Sequence, residues 1–395
     1  MKMFSRIALL GTAISVIIHG YLTLHYYPLQ FAAAASPSVC NIGGKFNCDA
    51  VSASNYSALF GIPVSIFGMV VNVILFGMIL LAWLEWSDNT PRLRRAALFL
   101  AGSSLAASFV MGGISIFLLS NYCLFCIALY FLSLIIFECI RRTQTEPFFP
   151  GIKSDLPVLW AQSQSLIWTF VAIPVLAYLI HQGFLQNFGA DQMDRIVGMV
   201  IQEWQANPPK EITAKPMLVT GPERSQAKMT ISEFADFRCS HCAHAVSSLH
   251  AFTKSRPDVR FEFFSFPLDG ECNGDPRNAN GLSCHLAYAV QCAETKGKGW
   301  ALHGQVFQNQ DQLIQAQTVN ELKEKLLPIY ADLQLPVGEM ETCIADPATK
   351  DSVSSQAKQG ELAGVGGTPT IFVNQKLLSR GQALPVLEKA YSLSK

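Results

Sequence analysis

NYCLFCIALY, residues 121–130, places Cys123 and Cys126 at the mouth of an apolar run that continues to Ile140. A CxxC at a helix start sets its first sulfur beside unsatisfied backbone N–H groups and the positive end of the helix dipole, which favours the thiolate. This turn would also border lipid, where a dithiol meets apolar oxidants such as a quinone that a soluble thiol protein cannot easily reach. Cys139, alone near the far end of the run, reads as a packing residue.

Outward from this stretch lie further apolar runs at 7–27, 62–84, 96–119 and 166–183, the last with Pro174 in its middle. Each approaches the roughly 20 residues a helix needs to cross the hydrocarbon core, and none has a charge in its central part. The proline is expected to kink the fifth span without abolishing it. Half of the 395 residues are hydrophobic, and the 29 basic and 29 acidic residues cancel. That balance argues against nucleic acid as a partner, which would favour a basic patch.

Lys2 and Arg6 precede the first span, Arg92, Arg94 and Arg95 separate the second from the third, and Arg141, Arg142 and Lys153 follow the fourth. On the other side, the 28–61 loop has only Lys45. The positive-inside rule therefore puts the N-terminus in the cytoplasm, and five spans put the C-terminal half outside. FAAAAS at 31–36 resembles a cleavage site, but the apolar run before it exceeds a signal core of roughly 7–15 residues, so an anchor is expected.

Of eleven cysteines, six form three pairs: Cys40 with Cys48, Cys123 with Cys126, and Cys239 with Cys242. This topology turns all three toward one oxidising compartment, where disulfides persist. Dithiols joined in one chain suggest a relay by thiol–disulfide exchange. Between the first pair and the second span, CDAVSASNYSALFGIPVSIFG at 48–68 reads as a short amphipathic helix at the interface, turned into the span by Gly61 and Pro63, or equally as an ordinary loop.

CNIGGKFNC at 40–48, Ser54 six residues later, LFGIPV at 59–64 and CLFC at 123–126 together resemble the vitamin K epoxide reductase family, over about residues 5–142. The resemblance implies a four-helix membrane bundle in which the helix CxxC reduces a quinone, ubiquinone or menaquinone. The loop cysteines would carry electrons to it from a thioredoxin-like partner. Carried over, Cys123 exchanges with the loop, Cys126 is the quinone-side thiol, and Ser54, Tyr130 and Asn72 line the quinone pocket.

Residues 186–225 are mixed and polar and read as a linker with one helix before it. MTISEFADF at 229–237 alternates like a strand, RCSHCAHAVSSLHAF leads into a helix, and VRFEFFSFP at 259–267 is a second strand. A helical region from about 279 to 355 precedes GVGGTPTIFVN at 364–374, KLLSRG and a last helix at about 382–394. This order resembles the DsbA-like branch of the thioredoxin fold over roughly 225–395. It implies that Pro369 is cis beside the CxxC and that the Thr368 backbone pairs with extended substrate.

Within CSHC, Cys239 at the helix start is the expected nucleophile, Cys242 the buried resolving thiol, and His241 a positive neighbour for the thiolate. Glu233 or Asp236 is the candidate acid–base group for Cys242, with a solvated strand charge as the alternative reading of either. Zinc on Cys239, His241, Cys242 and His244 is disfavoured, because structural sites join separated ligand pairs, so no metal is expected. Cys272 with Cys284 and Cys292 with Cys343 are expected as structural bridges.

The sequence thus predicts an α-helical membrane bundle at 1–142, a fifth transmembrane helix and linker at 143–225, and an α/β thioredoxin-like periplasmic domain at 226–395. The expected activity is a quinone-dependent protein-disulfide oxidoreductase of a bacterial inner membrane, acting on reduced exported proteins and drawing on the membrane quinone pool. The alternatives are a reductant conduit or isomerase, and a non-catalytic membrane-tethered binding module.

Overall fold

The computed structural model describes residues 2–31, 38–40, 46–54, 56–87, 89–119, 121–145, 164–188, 190–274 and 279–394. Lys45, Lys153 and most of FAAAAS lie outside the described residues. Internal contacts divide the chain into two units, one covering Met1–Leu29 and Pro37–Ala190, the other containing Asp191–Lys395.

In the first unit, α1 (Lys2–Phe31), α3 (Val64–Trp83), α4 (Thr90–Phe117), α5 (Leu124–Arg141) and a fifth helix (Gln164–Asn187) are each long and apolar enough to cross a membrane. Helix satisfies backbone polar groups within the segment, which lipid cannot do. Asn89 caps α4, accepting the Arg92 N–H at 3.0 Å, and Pro91 occupies its first turn. The core joins Ala8, Leu75, Ile79, Ala97, Leu98, Ile136 and Ile140, while Phe109, Phe117 and Phe131 stay exposed on the outside. The fifth helix runs unbroken through Pro174 and packs Phe170 and Ile173 onto this core. His181 Nδ1 and Tyr27 OH lie 2.6 Å apart, and Phe184 stacks on Tyr27 at 4.6 Å between ring centroids.

The expected interfacial helix at 48–68 is not what forms. Helix α2 (Cys48–Ser52) makes little more than one turn, and a small antiparallel hairpin follows, β1 (Ala58–Leu59) with β2 (Ile62–Pro63). Phe60 and Gly61 at its tip have φ of 52° and 81°. A two-residue turn with both φ positive matches the natural twist of a hairpin, and glycine adopts it without steric cost. The apolar triplet Tyr56, Leu59 and Phe60 is still exposed, with Phe60 93% accessible at the tip.

The second unit is built on a five-stranded sheet of β3 (Leu218–Thr220), β4 (Met229–Ala235), β5 (Val259–Ser265), β6 (Thr370–Val373) and β7 (Lys376–Leu377), in the order β3-β5-β4-β6-β7. β4 and β5 are parallel, with Ile231 opposite Phe261, and the crossover between them carries the helix Ser240–Lys254; the other pairings are antiparallel. Central strands covered on both faces need apolar side chains on both. Phe263 and Phe237 join the helices Leu282–Glu294, Gly299–Gln308 and Val319–Asp332 on one side. Phe234, Phe264 and Phe372 meet Ala357 of the helix Pro347–Ala363 on the other, with Phe234 and Phe264 stacked at 4.8 Å.

The stretch expected as a linker is largely part of this unit. The helix Ala190–Ala206 buries Trp204, whose Nε1–H donates to the Val373 carbonyl at 3.1 Å. Ile212, Met217 and Leu218 are buried, and β3 pairs with β5. Buried Gln359 holds the intervening chain: its Oε1 accepts from Thr213 N, Thr213 Oγ1 and Ala214 N at 3.1, 2.8 and 3.2 Å, and its Nε2 donates to Glu211 O at 2.9 Å. The polar composition misled because these polar groups pair with one long side chain rather than with water. Gln359→Ala is expected to cost about 1–3 kcal/mol in this unit. Thermal unfolding should show it, together with faster tryptic cleavage at Lys210; unchanged cleavage would count against the anchor.

Candidate functional site

Two clusters of cysteine chemistry emerge, one in each unit. In the first, Cys40 and Cys48 form a disulfide with Cα atoms 5.9 Å apart, and the sulfurs of Cys40, Cys48 and Cys123 lie within 4.8 Å of one another. All three are buried. The loop is held there by the Asn47 N–H, which donates to the Tyr122 carbonyl at 3.0 Å, and by the Phe46 ring against Tyr122. Asn47 Oδ1 in turn accepts the Ala50 N–H at 2.7 Å and starts α2 at Cys48. Cys123 caps α5, its Sγ accepting the Cys126 N–H at 3.2 Å. A thiolate at Cys123 therefore stands beside a disulfide it can attack.

Cys126 lines a cavity of about 450 Å³ bordered by α1, α3, α4, α5, the fifth helix and the 51–57 segment. Such a volume suits a small organic ligand. Ser54, Asn72 and Tyr130, the three pocket residues expected from the sequence, all line it. Their hydrogen bonding differs. The Ser54 hydroxyl donates to the Val51 carbonyl at 2.7 Å, so toward a ligand it is an acceptor. Asn72 Nδ2 gives one hydrogen to the Gly68 carbonyl at 2.8 Å, within its own helix, and retains a second.

Sequence reasoning missed a polar group beside Cys40. Asp49, 2% exposed, has Oδ1 2.7 Å from His25 Nε2 and accepts the Ser38 N–H on Oδ2 at 3.2 Å. Ser38 Oγ lies 3.3 Å from Cys40 Sγ and 3.0 Å from Tyr21 OH. The available signal was an aspartate directly after Cys48 facing a histidine at the end of an apolar span.

In the second unit Cys239 is the N-cap of the helix Ser240–Lys254, half-buried, with its Sγ donating to the Thr368 carbonyl at 3.3 Å. The Thr368–Pro369 peptide is cis. A hydrogen bond from the Cys242 thiol, together with the backbone N–H groups of Cys242 and His241 at the open helix end, holds the Cys239 thiol down to about 5. Burial pushes Cys242 well above its ordinary value, and the bond to Cys239 adds to the rise. The His241 side chain is exposed. Gln310, unmarked in the sequence, donates through Nε2 to the carbonyls of Phe237 and Cys239 at 2.8 and 3.0 Å and fixes the turn before the helix.

The two candidate acids separate clearly. Asp236, just past β4, accepts from Arg238 N and Leu268 N at 2.5 Å each and from Ser283 Oγ at 3.1 Å, so it organises the loops around the helix start. Glu233, on β4, is buried with neither carboxylate oxygen bonded, and burial followed by repulsion from Cys239 raises it to about 8. Glu233 also acts on Cys242 through its charge. Cys272 pairs with Cys284 and Cys292 with Cys343, the second bridge joining the helices Leu282–Glu294 and Val337–Ala345.

Two pH dependences follow. The folded Cys239 thiol ionises below its unfolded value near 8.5, so it adds stability to the reduced form at high pH that disappears as pH falls through about 5. Thiolate absorbance or alkylation rate should give a midpoint near pH 5; a midpoint above pH 8 would contradict the geometry. Glu233 has the opposite sign: the folded state holds its proton longer, so it destabilises progressively from about pH 4.5 to pH 8. Glu233→Gln should therefore raise the thermal midpoint of the reduced protein at pH 8 by at least ~2–4 °C and leave it little changed at pH 4.

Comparison with known proteins agrees with this division. Residues 6–140 match the model of the vitamin K epoxide reductase family, and residues 216–390 match a thioredoxin family model. Among solved structures, the chain is similar to a thioredoxin-like oxidoreductase from Silicibacter pomeroyi DSS-3, with 20% identity, 45% of this chain and 94% of that chain covered, and a TM-score of 0.35. It is also similar to the oxidoreductase DsbA from Xylella fastidiosa, with 21% identity, 46% and 90% coverage and a TM-score of 0.36. Among curated proteins, it is 26% identical over 157 residues to the Na(+)/H(+) antiporter NhaA 3 of Salinispora tropica, over 40% of this chain and 21% of that protein. The Na(+)/H(+) antiporter NhaA of Herminiimonas arsenicoxydans is 29% identical over 160 residues, over 40% and 22%. The chain thus spans about a fifth of the length of the curated relatives it matches.

Proposed function

This chain joins a domain of the vitamin K epoxide reductase family to a thioredoxin-like domain, and we propose that it is a membrane thiol oxidase that makes disulfides in exported proteins. Reduced clients attack the Cys239–Cys242 disulfide, forming a mixed disulfide at Cys239. Cys242 leaves and takes up a proton, and a second client thiol then attacks the mixed disulfide, releasing the oxidised client. This leaves a Cys239/Cys242 dithiol whose Cys242 gives its proton to Glu233 when that dithiol is reoxidised. The resulting dithiol reduces Cys40–Cys48, that pair reduces the Cys123–Cys126 disulfide, and the Cys123/Cys126 dithiol passes two electrons to a quinone, ubiquinone or menaquinone, in the cavity. Each step breaks one S–S bond and forms another until the quinone takes the electron pair.

The observation that carries this reading is the gathering of the Cys40, Cys48 and Cys123 sulfurs within 4.8 Å, with Cys126 opening onto the cavity. A tethering module with structural cysteines has no need for a free thiol beside a disulfide. The reading places residues 1–142 in the inner membrane with the N-terminus cytoplasmic, and the thioredoxin-like domain at 226–395 in the periplasm. Covalent linkage then raises the effective concentration of the client-facing dithiol at the loop. Thr368 and Pro369 would present backbone to extended clients, His241 would adjust the Cys239 thiolate, and the bridges Cys272–Cys284 and Cys292–Cys343 would be structural.

Anaerobic quinone reduction by purified protein, with a reduced unfolded dithiol client as donor, tests the path. Cys126→Ala and Cys242→Ala should each abolish turnover. Quinone consumption that persists in Cys126→Ala would remove the proposed terminus.

A further inference from the structure

The cavity holds a titratable side chain that the proposed path does not use. His19, on α1, lines it together with Cys126 and Tyr130, and its Nδ1 is buried without a hydrogen-bond partner. An unmet ring nitrogen in a native interior calls for a ligand or a proton-transfer role. The ring has room because α3 carries glycine at position 68, where any side chain would overlap the imidazole. One turn further along α3 stands Asn72, whose Nδ2 donates to the Gly68 carbonyl. His19 and Asn72 thus share the wall made by α1 and α3. Tyr130, its ring against Gly112 of α4, lines the same cavity from α5 together with Cys126.

Several hydroxyls around the cavity are already committed to helix or loop carbonyls. Ser54 donates to Val51 O, Ser57 to Ser54 O and Ser133 to Tyr130 O. Among the described residues no Asp, Glu, Lys or Arg lines the cavity, and the other titratable groups there are Tyr26, Tyr56, Cys126 and Tyr130. Imidazole is the one of these whose ordinary titration lies between pH 5 and 8. A para-quinone carries its two oxygens at opposite ends of one ring, and each must gain a proton when the ring gains two electrons.

Resting on the function proposed above, we infer that His19 hydrogen-bonds the quinone carbonyl remote from Tyr130 and donates the proton that oxygen needs on reduction. As the Cys123–Cys126 bond forms, two electrons pass to the quinone and the dithiol releases two protons. One oxygen is protonated from the Tyr130 side and the other from the His19 N–H, and the released protons restore the two donors. Dithiol plus quinone give disulfide plus quinol, with nothing left over.

The test uses the full-length protein, a reduced dithiol peptide and a short-chain benzoquinone, with wild type, His19→Leu and His19→Gln assayed from pH 5.5 to 8.5. His19→Leu should lower kcat by ~10²-fold, raise KM for quinone and flatten the pH profile of kcat. His19→Gln should restore KM while kcat stays low and the profile stays flat. Reduction of Cys40–Cys48 by the peptide, followed without quinone, should match wild type in both variants and shows that each is folded. A kcat within twofold of wild type in His19→Leu would overturn the inference, as would a lower kcat with the wild-type pH profile or slowed exchange in both variants. If wild type reduces no quinone while exchanging thiols normally, the function reading fails, and this inference with it.

Discussion

Thiol–disulfide exchange needs sulfur atoms in contact, and in the first unit one backbone hydrogen bond sets that contact. The Asn47 N–H to Tyr122 carbonyl bond joins the residue before Cys48 to the residue before Cys123. Each cysteine then opens its own helix, α2 at Cys48 and α5 just after Cys123. At a lipid boundary an unpaired peptide group costs several kcal/mol, so pairing the two chain segments also satisfies their backbones. Two requirements, a dry backbone and an aligned disulfide, are met by one geometry.

The second unit solves a different problem. Its two thiols share a helix turn but have opposite acidities, because Cys239 faces the open helix end and Cys242 is packed in the core. In the proposed path that split makes Cys239 the attacking group and leaves Cys242 in need of a base. There Glu233 would supply one at the expense of stability: it is a buried, unbonded carboxyl, whereas neighbouring Asp236 is fully engaged in holding loops. The two acids that the sequence left equivalent thus differ in their hydrogen bonding.

The elements visible in the sequence were those with strong one-dimensional signatures. Five apolar helices, the strand and helix around CSHC, and the strand after Thr368–Pro369 all show as periodicity or spacing. The hairpin at Ala58–Pro63 did not, because Phe60 is an unusual residue at positive φ and the Ser/Asn cluster before it mimics a helix start. The packed segment from Ala190 to Thr220 was hidden because its anchors, Val373 and Gln359, lie more than a hundred residues away. The cysteines were legible as candidates. Ser38, Asp49 and Gln310 act through hydrogen bonds made only after folding.

The cavity shows why composition alone misjudges a membrane site. Its lining is rich in serine, yet in apolar surroundings a serine hydroxyl readily turns back to a carbonyl three or four residues earlier. Ser103, Ser108 and Ser133 all do so, to Phe99, Ser104 and Tyr130. Their hydrogens are then unavailable, and those serines present surfaces that accept but do not donate. Asn72, Tyr130 and His19 are different: the first keeps an amide hydrogen beyond its backbone bond, and the third keeps an unbonded ring nitrogen. A ligand that brings its own acceptors is what a lining with so few available donors would select.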